Sequence, residues 1–133
     1  MYFTKITLFI FVFSGFVFSV QAADVEETKA VASTVQIGDI QKGKVVFDRL
    51  CIHCHKSNYD EKFGPGLAGI VERRDKQWLH AFLKKPNQMI KDDEYAKNLK
   101  ENNAYNLTMP AFPEMQNKQD REDMIAYLAT LSE

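Results

Sequence analysis

The sequence predicts an all-α protein built as one domain. Apolar residues recur three or four positions apart in several segments, which is the spacing of one helix face. No segment shows the clean alternation of apolar and polar residues that marks a half-buried strand. Glycine- and proline-rich stretches separate the periodic segments. A length of 133 residues, with 45% hydrophobic and 26% charged residues, is ordinary for a single globular domain.

A first helix is predicted from Asp39 to about Leu50. Aspartate is a favoured N-cap because its carboxylate accepts hydrogen bonds from free N–H groups of the first turn. One face carries four residues at helical spacing: Ile40, Gly43, Phe47 and Leu50. Glycine costs a helix about 1 kcal/mol relative to alanine. We therefore expect Gly43 to allow close approach by the backbone of another helix.

A loop and a short helix follow. Residues 63–70 contain three glycines and one proline, which excludes a long regular element. Asp75 is the predicted N-cap of a helix over about residues 76–85, and Pro86 ends it.

Two more helices are predicted towards the C-terminus. One begins at Asp92 or Asp93 and ends near residues 102–103. Residues 106–115 contain two prolines and are predicted to be an extended loop. The last helix covers about residues 118–131 and has apolar positions in i, i+3, i+4, i+7 register: Met124, Tyr127, Leu128 and Leu131.

Residues 1–22 have the composition of a secretory signal peptide. A lysine precedes an unbroken apolar stretch over residues 6–20, and Val20-Gln21-Ala22 places small residues where a leader peptidase requires them. We predict cleavage after Ala22, with Ala23 as the neighbouring option, and hence a periplasmic location. An uncleaved membrane anchor is the alternative, although the run is short for a span of about 20 residues.

The mature chain is predicted to consist of a flexible lead-in, residues 23–38, and a globular domain, residues 39–133. The lead-in is polar and small and shows no clear period. Removal of the leader deletes one lysine, which leaves 16 basic and 18 acidic side chains. This balance excludes a strongly basic nucleic-acid binder.

Cys51-Ile52-His53-Cys54-His55 is the stretch with the most specific chemistry. A Cys-x-x-Cys-His run is typical of covalent attachment of a c-type haem. The two thiols can add to the two vinyl groups of one porphyrin, and the following histidine is placed to bind the iron through an imidazole nitrogen. We predict one haem c, attached through Cys51 and Cys54, with His55 as a metal ligand.

Three other uses of the cysteine pair are less favoured. A dithiol redox motif expects a βαβ pattern nearby, which is absent from the sequence. A zinc site lacks a second cysteine pair, and outside the motif the only histidine is His80. A disulfide here would close a very small loop and stabilise little. We expect His80 to lie at the surface, on a mostly apolar helix with lysines nearby.

A second iron ligand is sought among the methionines, since a thioether favours ferrous iron and raises the reduction potential. The mature chain offers four candidates: Met89, Met109, Met115 and Met124. Met109 is favoured because Pro110 and Pro113 stiffen its loop, and a rigid loop holds a weak ligand in place. Ordinary packing remains the alternative for each methionine.

The sequence resembles class I cytochrome c. The resemblance is carried in order by the haem motif at residues 51–55, by Gly64-Pro65-x-Leu67-x-Gly69, by Met109-Pro110, and by the helix containing Met124-Ile125-Ala126-Tyr127-Leu128. It implies a small all-α fold of about four to five helices wrapped around one covalent haem. It also implies His55 as the proximal ligand and Met109 as the distal ligand.

The resemblance implies further contacts. The Pro65 carbonyl would accept the second imidazole N–H of His55. Polar side chains after that loop would reach the haem propionates, and we favour Trp78 over Arg73 or Arg74. The first and last helices would cross with Gly43 and Phe47 against Met124 and Tyr127. Residues 91–106 depart from the best-known members, and an extra or longer helix over one haem edge is expected there.

The function that follows is one-electron transfer, because iron with six ligands has no open site for a substrate. An enzyme is therefore not expected. Partners would be other redox proteins that dock transiently at the exposed haem edge, with membrane contact only if the leader is retained. The alternative is a donor subunit, or membrane-anchored donor, of a respiratory oxidase or dehydrogenase complex. An enzyme or gas sensor with a displaced Met109 is a third, minor hypothesis.

Overall fold

The computed structural model of the protein describes residues 37–132. The expected leader (1–22), its cleavage after Ala22 and nearly all of the lead-in (23–38) lie outside this range. Six α-helices form in it: α1 (Ile40–Val46), α2 (Ile70–Arg73), α3 (Lys76–Lys84), α4 (Pro86–Asp92), α5 (Glu94–Glu101) and α6 (Lys118–Leu128). Because residues 37–132 contain no strand, the prediction of an all-α fold is confirmed.

Polar side chains begin four of these helices. Asp39, Asp75 and Asp93 accept hydrogen bonds from first-turn N–H groups, at 2.9 and 3.1 Å, 2.7 Å and 2.8 Å respectively. Asn117 does the same for α6 at 2.7 Å. Asp39 and Asp75 are the predicted N-caps of α1 and α3, and Asp93 is one of the two residues predicted to begin α5.

Helices α1 and α6 cross at Gly43. A Cβ atom at Gly43 would overlap the carbonyl oxygen of Asp123 and would lie 2.8 Å from the Cβ of Tyr127. One turn further on, the ring centroids of Phe47 and Tyr127 are 5.1 Å apart. The expected close approach at Gly43 is therefore present, and its packing offsets the low helix propensity of glycine.

The core lies beneath this crossing. Phe47, Met115 and Met124 are 1–2% exposed. They pack with apolar side chains from α2, α3 and α6: Ile70, Leu79, Leu83, Ile125 and Leu128. None of the helices described is long and apolar enough to cross a membrane.

Several boundaries differ from the prediction. A π-helical turn, Phe47–Cys51, continues α1. Pro86 not only follows α3 but also occupies the first position of α4, where its missing N–H costs nothing. No helix was predicted at residues 86–92. Ile70 begins α2 and is not part of the preceding loop. A 3₁₀ turn, Glu114–Gln116, precedes α6, which ends at Leu128 and not near residue 131.

Candidate functional site

The π-helical turn places the two cysteines. The N–H of Ile52 donates to the carbonyl of Phe47 at 3.1 Å, so the chain is wound more widely than in an α-helix. The N–H groups of Cys54 and His55 then both donate to the carbonyl of Cys51, at 3.0 and 2.9 Å. This tight turn brings Cys51, Cys54 and His55 to one cavity.

The imidazole of His55 is fixed by the glycine-proline loop. Its Nδ1 lies 2.8 Å from the carbonyl oxygen of Pro65, which can only accept, so Nδ1 carries the hydrogen. The N–H groups of Phe63 and Gly64 bond the carbonyl of Cys54 at 3.1 and 2.8 Å and hold the loop against the motif. Burial lowers the pKa of His55, against the opposing effect of the Pro65 carbonyl. The neutral ring keeps Nε2 free to bind a metal ion.

Gly64 leaves room for this ring. A Cβ atom there would lie 2.5 Å from the Cε1 of His55 and 2.9 Å from its Nδ1. Distances this short are not tolerated between non-bonded atoms, so a side chain at residue 64 would displace the imidazole.

The cavity is mainly apolar. His55 lies on its wall with side chains from residues 63–69 (the proximal loop), α3, α5 and residues 109–117 (the methionine loop), among them Leu67, Leu79, Phe82, Leu99, Met109 and Phe112. Among the described residues that line it, Lys100 is the only lysine or arginine. An apolar wall of this kind suits a porphyrin and disfavours the extra charge of ferric iron.

Two of the four candidate methionines line this cavity. They are Met109 and Met124. Met124 is 1% exposed and belongs to the core against α1, as predicted for its position on the apolar face of α6. Met109 is partly buried in the methionine loop, whereas Met89 and Met115 are absent from the lining. The structure thus brings Met109 and His55 to one cavity from separate segments.

Two buried donors near Trp78 lack partners. Neither the indole Nε1 of Trp78 nor the Nε of Arg74 has a hydrogen-bond partner among the described residues. The Trp78 ring stacks on Phe82 with centroids 4.9 Å apart, and the Arg74 guanidinium lies 3.4 Å from the centroid of Tyr95. Buried donors are normally satisfied, and Trp78 lines the cavity, so its indole N–H fits a carboxylate of a haem, whereas Arg74 is not part of the lining.

Arg73 has a different role from the one that the resemblance implied. Its guanidinium donates to the carbonyl oxygens of Ala68 at 2.6 Å and Gly66 at 3.2 Å. These bonds hold the loop that follows Pro65. Arg73 is therefore occupied by the proximal loop, and of the two arginines only Arg74 keeps an unpartnered buried donor.

The segment 91–106, where an extra or longer helix was expected, contains α5 and contributes to the wall of the cavity. Ala96, Leu99 and Asn103 line the cavity. The side-chain amide of Asn103 donates to the carbonyl of Phe63 at 3.1 Å and ties this segment to the proximal loop. An asparagine-rich sequence carries no signal for such a contact, because the acceptor is a backbone atom 40 positions away.

The position predicted for His80 was wrong. Only 20% of its side chain is exposed, because it packs between α3 and α6 and contacts Glu122 and Arg121. Glu122, the carboxylate on α6 that contacts His80, lies 42 positions further along the chain.

The thiols fit thioether formation better than metal binding. Burial, together with the neighbouring Cys54, raises the pKa of Cys51 to about 11, so in the chain without haem this thiol is protonated at neutral pH. Within residues 37–132 no three histidine, cysteine or acidic side chains are grouped to hold a metal ion. The zinc alternative therefore has no ligand set here.

The family model for cytochrome c matches residues 40–132. The chain therefore belongs to the cytochrome c family and is a class I, monohaem, c-type cytochrome. It carries one haem c, covalently bound through Cys51 and Cys54, and it is an electron-transfer haem protein.

Individual relatives agree with this assignment. Cytochrome c of Tetrahymena pyriformis is 29% identical over 102 residues, which is 74% of this chain and 94% of that protein. Cytochrome c from Rhodothermus marinus shares the fold with a TM-score of 0.62 at 23% identity, over 69% of this chain and 75% of the other. The cytochrome c domain of the pp3183 protein from Pseudomonas putida has a TM-score of 0.55 at 30% identity, over 65% of this chain and 84% of the other.

Proposed function

We propose that the protein is a periplasmic one-electron carrier whose iron is bound by His55 on one side and Met109 on the other. The observation that supports this most directly is that a neutral imidazole with a free Nε2 and a partly buried thioether line the same apolar cavity. The haem supplies a one-electron couple between ferrous and ferric iron.

The residues of the chain tune that couple. The Pro65 carbonyl orients the imidazole and increases its basicity, while the apolar lining excludes water. Trp78 would hold a propionate through its indole N–H, which lines the cavity side of α3 and lacks a partner among the described residues. Iron bound by both side chains has no open position for a substrate, so we do not propose a catalytic role.

Electron exchange is proposed to occur at the rim formed by Phe63 and Leu107. Both side chains line the cavity and are also 44% and 55% exposed. Tyr105, which is 56% exposed, packs edge-on against Phe63 with centroids 5.2 Å apart. An exposed apolar rim next to the cofactor suits the small and transient interfaces of redox partners.

Optical spectra of the purified holoprotein test the ligand set. Ferric iron bound to a thioether has a weak far-red band, which we expect to disappear in Met109→Ala and to survive in Met89→Ala. Met89 is the matched control because it lies on α4 outside the cavity lining. Survival of the band in Met109→Ala would show that another ligand binds the iron.

The proposed location has its own test. The protein in the periplasmic fraction should begin at residue 23 when its N-terminus is sequenced. Recovery in the membrane fraction with residues 1–22 still attached would support the membrane-anchored donor instead.

A further inference from the structure

Arg121 is a buried cation at the C-terminal end of the methionine loop, residues 109–117. Only 7% of its surface is exposed. One terminal nitrogen, NH1, donates to the carbonyl oxygen of Met115 at 2.6 Å and to that of Asn117 at 3.2 Å. Both acceptors belong to the loop and the donor belongs to α6, so this guanidinium joins the loop to the helix.

His80 orients the guanidinium from the other side. The Nε of Arg121 donates to the Nδ1 of His80 at 3.2 Å, so Nδ1 is an acceptor and the hydrogen of the neutral ring is on Nε2. That Nε2 lies 3.1 Å from a carboxylate oxygen of Glu122, whose other oxygen is 2.5 Å from the Nζ of Lys76. Hydrogen bonds link Arg121, His80 and Glu122, and an ion pair adds Lys76; we call these four side chains the Arg121 cluster.

Other contacts also attach the loop at this end, and the most buried of them is the side chain of Met115, which is 2% exposed and packs in the core. The side-chain amide of Gln116 donates to the carbonyl of Lys84 at 3.0 Å. Arg49 forms an ion pair with Glu114 at 3.1 Å, but more than half of the Arg49 side chain is exposed. Exposed pairs contribute little, whereas hydrogen bonds from a buried guanidinium are charge-assisted and strong. Arg121 is therefore the buried charged restraint on the 115–117 end of the loop, and it acts beside the packing of Met115 in the core.

This restraint is transmitted towards Met109. Pro110 and Pro113 fix two backbone angles and limit the conformations of the residues before them. A loop with so little internal freedom moves largely as one body, so the position of its end determines where the thioether of Met109 lies.

We propose that Arg121 is a positioning residue for the methionine ligand of the iron, and that His80 acts through it by holding the guanidinium in place. The proposal rests on the proposed ligation by Met109. A thioether is a weak ligand and is retained only when it is held close to the metal. Loss of the Arg121 hydrogen bonds would allow the methionine loop to move away from the haem, so that for part of the time the iron would be open to external ligands.

The experiment is a titration of the ferric holoprotein with imidazole, which competes with Met109 for the iron. Apparent affinity for a competitor rises in proportion to the fraction of molecules in which the site is open. We expect Arg121→Gln to bind imidazole at least about tenfold more tightly than the parent protein. Arg121→Lys, which retains one donor group, and His80→Phe, which removes the acceptor of the Nε hydrogen bond, should both be intermediate.

Two controls carry the same substitution. Arg49→Gln removes the exposed ion pair on the same loop, and Arg73→Gln removes the bonds to the carbonyls of Gly66 and Ala68 on the proximal side. We expect both to bind imidazole within about twofold of the parent, since neither holds the 115–117 end. If Arg73→Gln raised the affinity as much as Arg121→Gln, general loosening would explain the result and the proposal would be overturned.

The outcomes separate this inference from the proposed function. If the parent protein has no far-red band, ligation by Met109 fails and the inference fails with it. If the band is present but a folded Arg121→Gln binds imidazole like the parent, only the inference fails, even where denaturation shows lower stability. If Arg121→Gln does not accumulate as holoprotein, the imidazole affinities of Arg121→Lys and the parent are compared instead. Equal affinities would then overturn the inference.

Discussion

The Nδ1 of His55 and the carbonyl oxygen of Pro65 lie 2.8 Å apart, and this contact joins the haem motif to the loop 10 positions further along. It determines the tautomer of the ring, because a carbonyl can only accept. It also makes the geometry of the loop, and of Gly64 within it, part of the environment of the iron.

Gly64→Ala should therefore weaken the proximal side. The added methyl would lie 2.5 Å from the Cε1 of His55, so either the ring or the loop must shift. We expect a loss of about 1–3 kcal/mol in the free energy of unfolding of the holoprotein, measured by denaturant titration. Ser57→Ala, at an exposed position before the loop, should change it by less than about 0.5 kcal/mol. Equal effects of the two changes would contradict the tight fit at Gly64.

Gly43→Ala should disrupt the crossing of α1 and α6. The new methyl would collide with the carbonyl of Asp123, which is backbone and cannot rotate away. Although alanine is the better helix former, we expect destabilisation of at least about 2 kcal/mol in chemical denaturation. Val45→Ala on the exposed face of α1, where Val45 is 63% exposed, is the control and should stay within about 0.5 kcal/mol. A stabilised Gly43→Ala protein would mean that the helices are not in contact there.

Trp78→Phe should change how the reduction potential depends on pH. The substitution keeps the aromatic stack on Phe82 but removes the indole donor that lacks a partner in the protein. A propionate that loses a donor holds its proton to higher pH, so the pH-dependent part of the potential, measured by redox titration, should move upward in pH. Tyr105→Phe, an exposed aromatic change, should leave the profile as in the parent. Identical profiles for Trp78→Phe and the parent would remove Trp78 from the propionate site.

His80 should make the stability of the holoprotein sensitive to acid. Burial lowers its pKa, with Arg121 and Lys76 acting in the same direction and Glu122 opposing them. The contribution of neutral His80 to the free energy of unfolding is therefore fully present above the ordinary histidine pKa of about 6.5. It is lost as the pH falls from there through the lowered pKa of the folded protein. Unfolding free energies between about pH 5 and 8 should show a weaker decline in His80→Asn than in the parent. His53→Asn, at an exposed position, should show the same decline of stability with falling pH as the parent. If the decline disappeared in His53→Asn, His53 and not His80 would be its source.

Leu107→Glu should slow electron exchange between molecules. Self-exchange between ferrous and ferric copies, measured by NMR line broadening, needs no partner protein and uses the same exposed rim. A charge at a position that is 55% exposed beside the cavity repels its copy in the encounter complex, so we expect about a tenfold slower rate at low salt. Val45→Glu, on α1, carries the same charge change away from the cavity lining. If Val45→Glu slowed self-exchange equally, the slower rate would be due to the added net charge and not to the position of Leu107 at the rim.

Much of the site was accessible from the sequence because its chemistry is local. The spacing of Cys51, Cys54 and His55 alone indicated covalent haem, and Asp39, Asp75 and Asp93 indicated helix starts because a capping side chain bonds N–H groups within three residues of itself. Gly43 indicated a close contact because glycine destabilises a helix relative to alanine, and close packing against another helix can offset that loss. Met109 was distinguished from the other methionines by its neighbouring prolines.

The tertiary structure decided everything that depends on contacts between distant segments. It moved His80 from the expected surface to a half-buried site on Arg121 and Glu122, turned Arg73 towards the proximal loop, and brought Asn103 to the carbonyl of Phe63. The acceptors in these contacts include backbone carbonyls, which every residue carries and which no sequence pattern distinguishes. Local spacing thus determined which cofactor the chain binds and where three of its helices begin, whereas the packing of α6 and the loops determined which contacts Arg73, His80 and Arg121 make.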